Sequence, residues 1–324
     1  MRFKHSISKF VQRLTLTPLR AYFGHQSLAQ VQILNGSIAS RQVHALGQIG
    51  HLSDVEFQVF SQWGEDGIIE WLIHHAGPMP ETFVEFGVEN YTESNTRFLL
   101  MHRNWRGLII DGSHENIDYV RADRISWRHE LHSVASFITT QNINTTIRSA
   151  GLEGEIGLLS VDIDGNDYWV LEAIDCVSPR FLIVEYNSAF GDLHQISTPY
   201  AADFVRSSKH YSNLYYGASI AAFVALARKK GYTFLGSNRA GSNAFFVRDD
   251  IFPRFAGKIT HMTARPSLFR EARDKNGHLT LLSGRGRSDL LAGELVVDVS
   301  SGQTSTLGAR GELFSADWQS HLGR

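Results

Sequence analysis

Seven residues, Gly236-Ser237-Asn238-Arg239-Ala240-Gly241-Ser242, separate two apolar runs, Tyr232–Leu235 and Asn243–Val247. A parallel strand pair needs a crossover of roughly a dozen or more residues, usually a helix, so these two strands must pair antiparallel. Upstream, from Phe57 to Arg248, apolar runs alternate with amphipathic segments, the pattern of a parallel α/β sheet. A largely parallel sheet that ends in an antiparallel hairpin differs from an all-parallel dinucleotide-binding sheet. This one loop therefore removes many topologies.

The segments read in order. Helices are expected over Asp66–His75, Ser94–Arg103, Tyr168–Ile174 and Ala218–Lys230, the first stopped near Gly77-Pro78. Strands are expected over Thr82–Phe86, Leu108–Ile110, Ile156–Val161 and Phe181–Val184, with a weakly signalled third strand somewhere in Ser126–His132. After Ile251 the composition changes. Leu268–Asp274 reads as a short helix, and glycines punctuate β-like runs such as Leu279–Leu282 and Leu295–Val299. The division is a basic N-terminal arm (1–56), an α/β domain (57–250) and a small β-rich extension (251–324).

The chain has 324 residues, 43% of them apolar, enough for a full core. Charge is unevenly spread. Arg2, Lys4, Lys9, Arg13, Arg20 and Arg41 precede the first acid, Asp54, which leaves 25 basic against 33 acidic residues beyond them. An acidic body argues against nucleic acid as its partner. Phe3, Ile7, Phe10, Val11 and Leu14 recur near helical spacing among the early lysines and arginines. Such an arm suits an anionic membrane surface or a protein partner, or is merely a solvated or locally packed segment. A lone cysteine, Cys176, excludes an internal disulfide and fits the cytoplasm, membrane-associated at the inner face if the arm binds lipid. No apolar run is long enough to span a bilayer.

Chemistry gathers at the strand tips, where open α/β sheets bind ligands. Strand one ends Glu85-Phe86-Gly87, and one unit later the next strand ends in Asp111. A glycine turn lets a ligand approach, and a strand-tip carboxylate accepts the two hydroxyls of a ribose. The full glycine fingerprint that admits a pyrophosphate is missing, which favours a nucleoside cofactor without phosphates. Glu85 and Glu89 would repel a pyrophosphate and pair with a cationic amino acid. Gln62 and Asp66, in Ser61-Gln62-Trp63-Gly64-Glu65-Asp66, are candidates for that amino-acid end, or else Asp66 simply complements a helix dipole. Asp162 and Asp164 end strand four, and Glu185 and Asn187 follow strand five. Together these four are hard oxygen donors of a kind suited to Mg²⁺ or Mn²⁺. Alternatively, Asp164 orients substrate with no ion. His194 is a candidate general base, ahead of His114 and His210. No nucleophile elbow, Cys-His pair or phosphate-cradling loop is present.

Taken together, Ser61–Asp66, Phe83–Leu100, Asn104–Ser113, Ile156–Trp169, Val184–Asn187, Gly217–Ser219, Lys230–Tyr232 and Gly241–Val247 resemble the FkbM-type branch of the S-adenosylmethionine-dependent methyltransferases. The resemblance implies a seven-stranded, mostly parallel Rossmann-like class I methyltransferase sheet. It also implies S-adenosylmethionine at the first strand tips, held by Glu85, Gly87, Asp111, Gly112 and Ser113. Relatives methylate hydroxyl oxygens, often on sugars, so the implied activity is O-methylation of a sugar, glycan or glycosylated metabolite. Asp164 and His194 are then the residues expected to activate the acceptor. The acids of strands four and five are similar to those of catechol-type O-methyltransferases. Glu89-Asn90-Tyr91 departs from the pattern, standing where a later glycine is usual. The competing expectation is a catalytically inactive methyltransferase-fold subunit that binds a glycan-assembly partner through its basic arm and β-rich tail; a homo-oligomer is compatible with either.

Overall fold

A computed structural model describes residues 28–322. The amphipathic stretch expected over Arg2–Tyr22 lies outside them. A helix through 28–44 (α1) precedes the sheet. The strands are β1 Thr82–Phe86, β2 Arg106–Asp111, β3 Leu131–Ala135, β4 Gly154–Val161, β5 Val177–Glu185, β6 Ile196–Ser197, β7 Tyr232–Ser237, β8 Asn243–Arg248, β9 Leu295–Asp298 and β10 Thr304–Thr306. Between them lie α2 Glu65–Ala76, α3 Arg97–Arg103, α4 His114–Ala122, α5 Ile125–Arg128, α6 Ile143–Ser149, α7 Asp167–Ala173, α8 Arg206–Lys209, α9 Ile220–Lys229, α10 Arg285–Leu290 and α11 Ala316–His321.

Seven strands form one sheet in the order β3-β2-β1-β4-β5-β8-β7. β3, β2, β1, β4 and β5 run parallel, while β8 is antiparallel to both β5 and β7. The hairpin required by the short loop is present, and the sheet is that of a Rossmann-like methyltransferase. Strand order reverses between β1 and β4, so a crevice opens at their carboxyl ends. Alternation along the strands builds two cores. Val84, Phe86, Leu108 and Ile110 face α6, α7 and α9, whereas Phe83, Ile109 and Leu158 face α2 and α3.

Three local expectations fail. Strand three lies at Leu131–Ala135, because Ile125–Arg128 is taken by the short helix α5. Leu268–Asp274 forms no helix, and Leu279–Leu282 makes only an isolated bridge, Leu279 to Arg273. In both segments apolar residues face solvent, Leu268 at 64%, Leu279 at 55% and Leu281 at 60% exposure, so no buried face fixes a period. A second, small antiparallel sheet does exist: β9 pairs with β10 and with β6, which lies between β5 and α9 in the chain. Among the described residues no helix is long and apolar enough to cross a membrane.

Candidate functional site

A cleft of about 710 Å³ opens where the sheet order reverses. Gln62, Glu85, Gly87, Asp111, Gly112, Asp162, Asp164 and Glu185 all line it. Gly87 is required for a reason other than ligand approach. Its φ is 67°, and a Cβ there would come within 1.8 Å of the Asp162 carbonyl oxygen. The glycine thus lets the β1 turn touch the β4 turn, and so joins the two halves of the cleft.

The β1–β2 half is held by its own backbone. The Glu85 carboxylate accepts from Ser94 Oγ at 2.9 Å, Asn95 N at 2.8 Å, Thr96 N at 3.0 Å and Thr96 Oγ1 at 2.5 Å. Burial raises its pKa although these bonds oppose the shift. Asp111 accepts Glu89 N on one oxygen, and Ser113 N and Asn116 Nδ2 on the other. It therefore ties the first turn to the second and still faces the cleft. Glu89 and Tyr91 adopt φ of 47° and 60°, the left-handed region that a glycine would enter freely. The departure from the resembled pattern is absorbed by the Asp111 bond to Glu89 N and by the Tyr91 hydroxyl, 2.9 Å from Thr96 Oγ1.

The β4–β5 half is built differently. One carboxylate oxygen from each of Asp162, Asp164 and Glu185 lies within 4.8 Å of the other two. Burial first, then mutual repulsion, raises the pKa of Asp162 and of Glu185 well above the ordinary range. Glu185 Oε2 is buried with no hydrogen-bond partner. Asp164 has φ 55°, a conformation that costs a non-glycine residue energy. Asp167 beneath them clamps the turn, accepting from Ile163 N and Gly165 N at 2.7 and 2.8 Å; burial pushes its pKa up to about 6. Arg206 spans the mouth. It pairs with Asp164, binds Glu271 at 2.6 Å, donates to the Asn213 carbonyl and stacks 3.8 Å from the Tyr216 ring centroid. An orphaned buried oxygen within a cluster of mutually repelling hard donors suits a small divalent cation.

Four expected site residues do other work. Asp66 is buried in the loop before α2, its Oδ2 accepting Val59 N, Phe60 N, Ser61 N and Ser61 Oγ, so it builds the loop and does not line the cleft. Ser113 caps α4 by accepting Asn116 N. Asn187 is consumed by the carbonyls of Leu214 and Tyr216 and by Ala189 N, and does not line the cleft. His194 lies away from the cleft, its Nε2 2.8 Å from the Glu312 carbonyl, and among the described residues no histidine lines the cleft. Conversely, Arg206, Glu271, Phe137 and Phe269 line it without having been expected. Phe137 was legible in principle: it follows β3 by two residues, at the carboxyl edge. Arg206 and Glu271 arrive from loops, with no strand-tip pattern to mark them.

No family model matches the chain, and no curated protein does. Among solved structures it is similar to the N-terminal domain of EvdMO1 in the presence of SAH and D-fucose (10% identity, 64% of this chain and 93% of that one, TM-score 0.37). It is also similar to an O-methyltransferase family protein from Burkholderia thailandensis (12% identity, 57% and 58%, TM-score 0.33). A third is an S-adenosylmethionine-dependent methyltransferase from Clostridium acetobutylicum ATCC 824 (10% identity, 52% and 83%, TM-score 0.32). The chain thus spans little over half of the Burkholderia protein. These likenesses are loose, and the fold rests on strand order and register.

Proposed function

We propose that this chain is an S-adenosylmethionine-dependent O-methyltransferase of the FkbM type, acting on a hydroxyl of a sugar, glycan or glycosylated metabolite. One observation carries the reading: among the described residues, eight carboxylate residues line the cleft against a single guanidinium, that of Arg206. Such a field repels the phosphates of NAD or ATP and attracts a sulfonium and an ammonium. Asp111 lines the cleft, and its Oδ2, which accepts Glu89 N, has capacity for a second donor such as a ribose hydroxyl; Phe137, which also lines the cleft, offers a ring face. Gln62, Asn90, Asn95, Asn213 and Asn243 add amide donors and acceptors suited to a hydroxyl-rich acceptor.

S-adenosylmethionine supplies an electrophilic methyl group. In-line displacement by the acceptor oxygen would form the new O–CH₃ bond and break the S–CH₃ bond, with S-adenosylhomocysteine as the leaving group. Without an ion, whichever of Glu185 and Asp162 is ionised takes the hydroxyl proton, its burial and acidic neighbours making it a stronger base than an isolated carboxylate. Asp162, Asp164 and Glu185 would hold Mg²⁺ or Mn²⁺, which would lower the pKa of a bound hydroxyl. The lone cysteine keeps the cytoplasm as the proposed location.

A second reading, an inactive methyltransferase-fold subunit, draws on Arg206, which already occupies one face of Asp164. Calorimetric titration with S-adenosylhomocysteine separates the two. Saturable heat in the micromolar range is expected, and silence at millimolar ligand would leave only the inert subunit.

A further inference from the structure

The chain beyond the sheet lays one irregular segment, residues 263–273, across the carboxyl edge of β5 and the β7–β8 turn. Arg265 N donates to Ser237 Oγ at 3.0 Å, Leu268 N to the Ala240 carbonyl at 2.8 Å and Ser267 N to Ser188 Oγ at 3.0 Å. The buried Tyr186 hydroxyl donates to the Arg265 carbonyl at 2.5 Å, and Arg273 N to the Ser212 carbonyl at 3.2 Å. Gly241 has φ 71°, and a Cβ there would come within 2.5 Å of the Pro266 carbonyl oxygen. That turn therefore takes the segment at backbone contact. Bonded into three separate loops, the segment is a fixed wall.

Among the described residues this wall brings two into the cleft, Phe269 and Glu271. Trp63, 43% exposed, packs edge-to-face with Phe269, the ring centroids 5.0 Å apart and the planes at 87°. That contact braces the Phe269 ring. Glu271 binds Arg206 at 2.6 Å, and Arg206 also pairs with Asp164. The braced ring accordingly stands at the β4–β5 end of the cleft, one guanidinium from the acidic triad. Gln62, next to Trp63 in the chain, and Asn213, whose carbonyl Arg206 binds, also line the cleft. Among the described residues the side-chain amides of these two have no hydrogen-bond partner.

We propose that Phe269 is the platform on which one face of a pyranose ring lies, with Gln62 and Asn213 bonded to its hydroxyl rim and the triad receiving the hydroxyl to be methylated. The proposal deepens the sugar O-methyltransferase reading and rests on it for the class of acceptor. A pyranose is apolar on its C–H faces and polar around its edge, the same division as a braced aromatic ring flanked by free amides. An open-chain polyol has the hydroxyls without the face. A planar aryl acceptor covers the ring but strands the amides, which costs free energy. The wall thus selects for ring shape as well as for hydroxyl groups.

Saturation-transfer NMR on the full chain, with S-adenosylhomocysteine present, reads the contact using methyl β-D-glucopyranoside as probe. Saturation should be strongest on the hydrogens of one ring face, and D-glucitol should receive little. Phe269→Ala should weaken glucoside binding by roughly tenfold, and Phe269→Tyr should restore it. A glucoside that does not bind, glucitol saturated as strongly, or catechol saturated more strongly overturns the platform. So does Phe269→Ala binding the glucoside unchanged, or a loss that Phe269→Tyr does not restore, which would assign the ring to packing alone. Calorimetry with S-adenosylhomocysteine reads the methyl-donor half of the cleft separately. Silence there with the glucoside contact intact removes the methyltransferase reading and leaves the platform; heat without the glucoside contact does the reverse.

Discussion

The two halves of the cleft carry the same kind of group in opposite states. At the tips of β1 and β2, Glu85 and Asp111 are surrounded by backbone and hydroxyl donors. At the tips of β4 and β5, Asp162, Asp164 and Glu185 face one another, and one buried oxygen has no partner. A satisfied buried carboxylate shapes a loop, whereas an unsatisfied group of them stores repulsion that only a proton or a cation relieves. The first half is a scaffold that also lines the cleft; the second, on the proposed function, is chemistry kept in readiness.

The sharpest test of that contrast is Glu185→Gln. Turnover should fall about a thousandfold, as expected when a base and metal donor is removed. The melting temperature should hold or rise, because a repelling carboxyl has left the cluster. Retained turnover, or a melting drop, would erase the distinction between the halves. Glu85→Ala is the mirror experiment. It strands the donors of Ser94, Asn95 and Thr96, so denaturant unfolding should show a loss of about 3 kcal/mol. A loss no larger than that of Glu185→Ala would show that hydrogen bonding is not what separates them.

This contrast also explains what the sequence revealed. Strand tips were legible because buried parallel strands are near-continuous apolar runs, and the next polar residue must lie at the edge. Glu85, Asp111, Asp162 and Glu185 were found that way. The state of each carboxylate was not legible, since it depends on which backbone amides curl back toward it. Asp66 shows the limit: its place in the chain suited a ligand contact, yet Val59, Phe60 and Ser61 turn their amides inward to it. Arg206 and Glu271 lie 65 positions apart and meet only through folding of loops. The hairpin, by contrast, followed from loop length alone, a constraint that no tertiary contact can relax.

Divalent ion sharpens the comparison further. Mn²⁺ at a hundredfold excess over its dissociation constant should stabilise the protein by about 2.7 kcal/mol, read as a melting shift reversed by EDTA. Protons compete for Asp162 and Glu185, whose pKa values are raised, so the shift should weaken on acidification. Asp164→Asn should abolish the shift. An unchanged shift in that variant would place the ion elsewhere.

The contribution of Asp66 and Asp167 to the acid dependence of the ion-free protein should be smaller and of opposite sign to that of ordinary salt-bridged carboxylates. Burial raises Asp66 and Asp167 from 3.8 to about 6, so the folded chain binds their protons more tightly than the unfolded chain. Their contribution is full below the unfolded value and is lost as pH rises through about 6. These two groups contribute a decline in denaturant midpoint across that interval, against which Glu70, Glu155 and Asp298, whose pKa values are lowered, contribute a rise. Asp66→Asn keeps an acceptor oxygen but removes one titration, so it should remove its share of the decline; an unaltered slope would show that Asp66 does not contribute.

Arg206 should produce the smallest effect, and its sign decides what it does. Its side chain is 16% exposed and that of Asp164 is 54% exposed, so the ion pair between them is largely screened and its loss should cost under ~1 kcal/mol of stability. The guanidinium nevertheless occupies the approach to the triad and lowers the proton affinity of Asp162 and Glu185. If it stands in for a divalent cation, Arg206→Gln should raise Mn²⁺ affinity roughly threefold to tenfold, by removing a competing positive charge. Turnover at saturating Mn²⁺ should then change by less than the affinity. A fall in Mn²⁺ affinity would mean instead that Arg206 holds the strained Asp164 in place, and the β4–β5 half would prove as much a scaffold as the β1–β2 half.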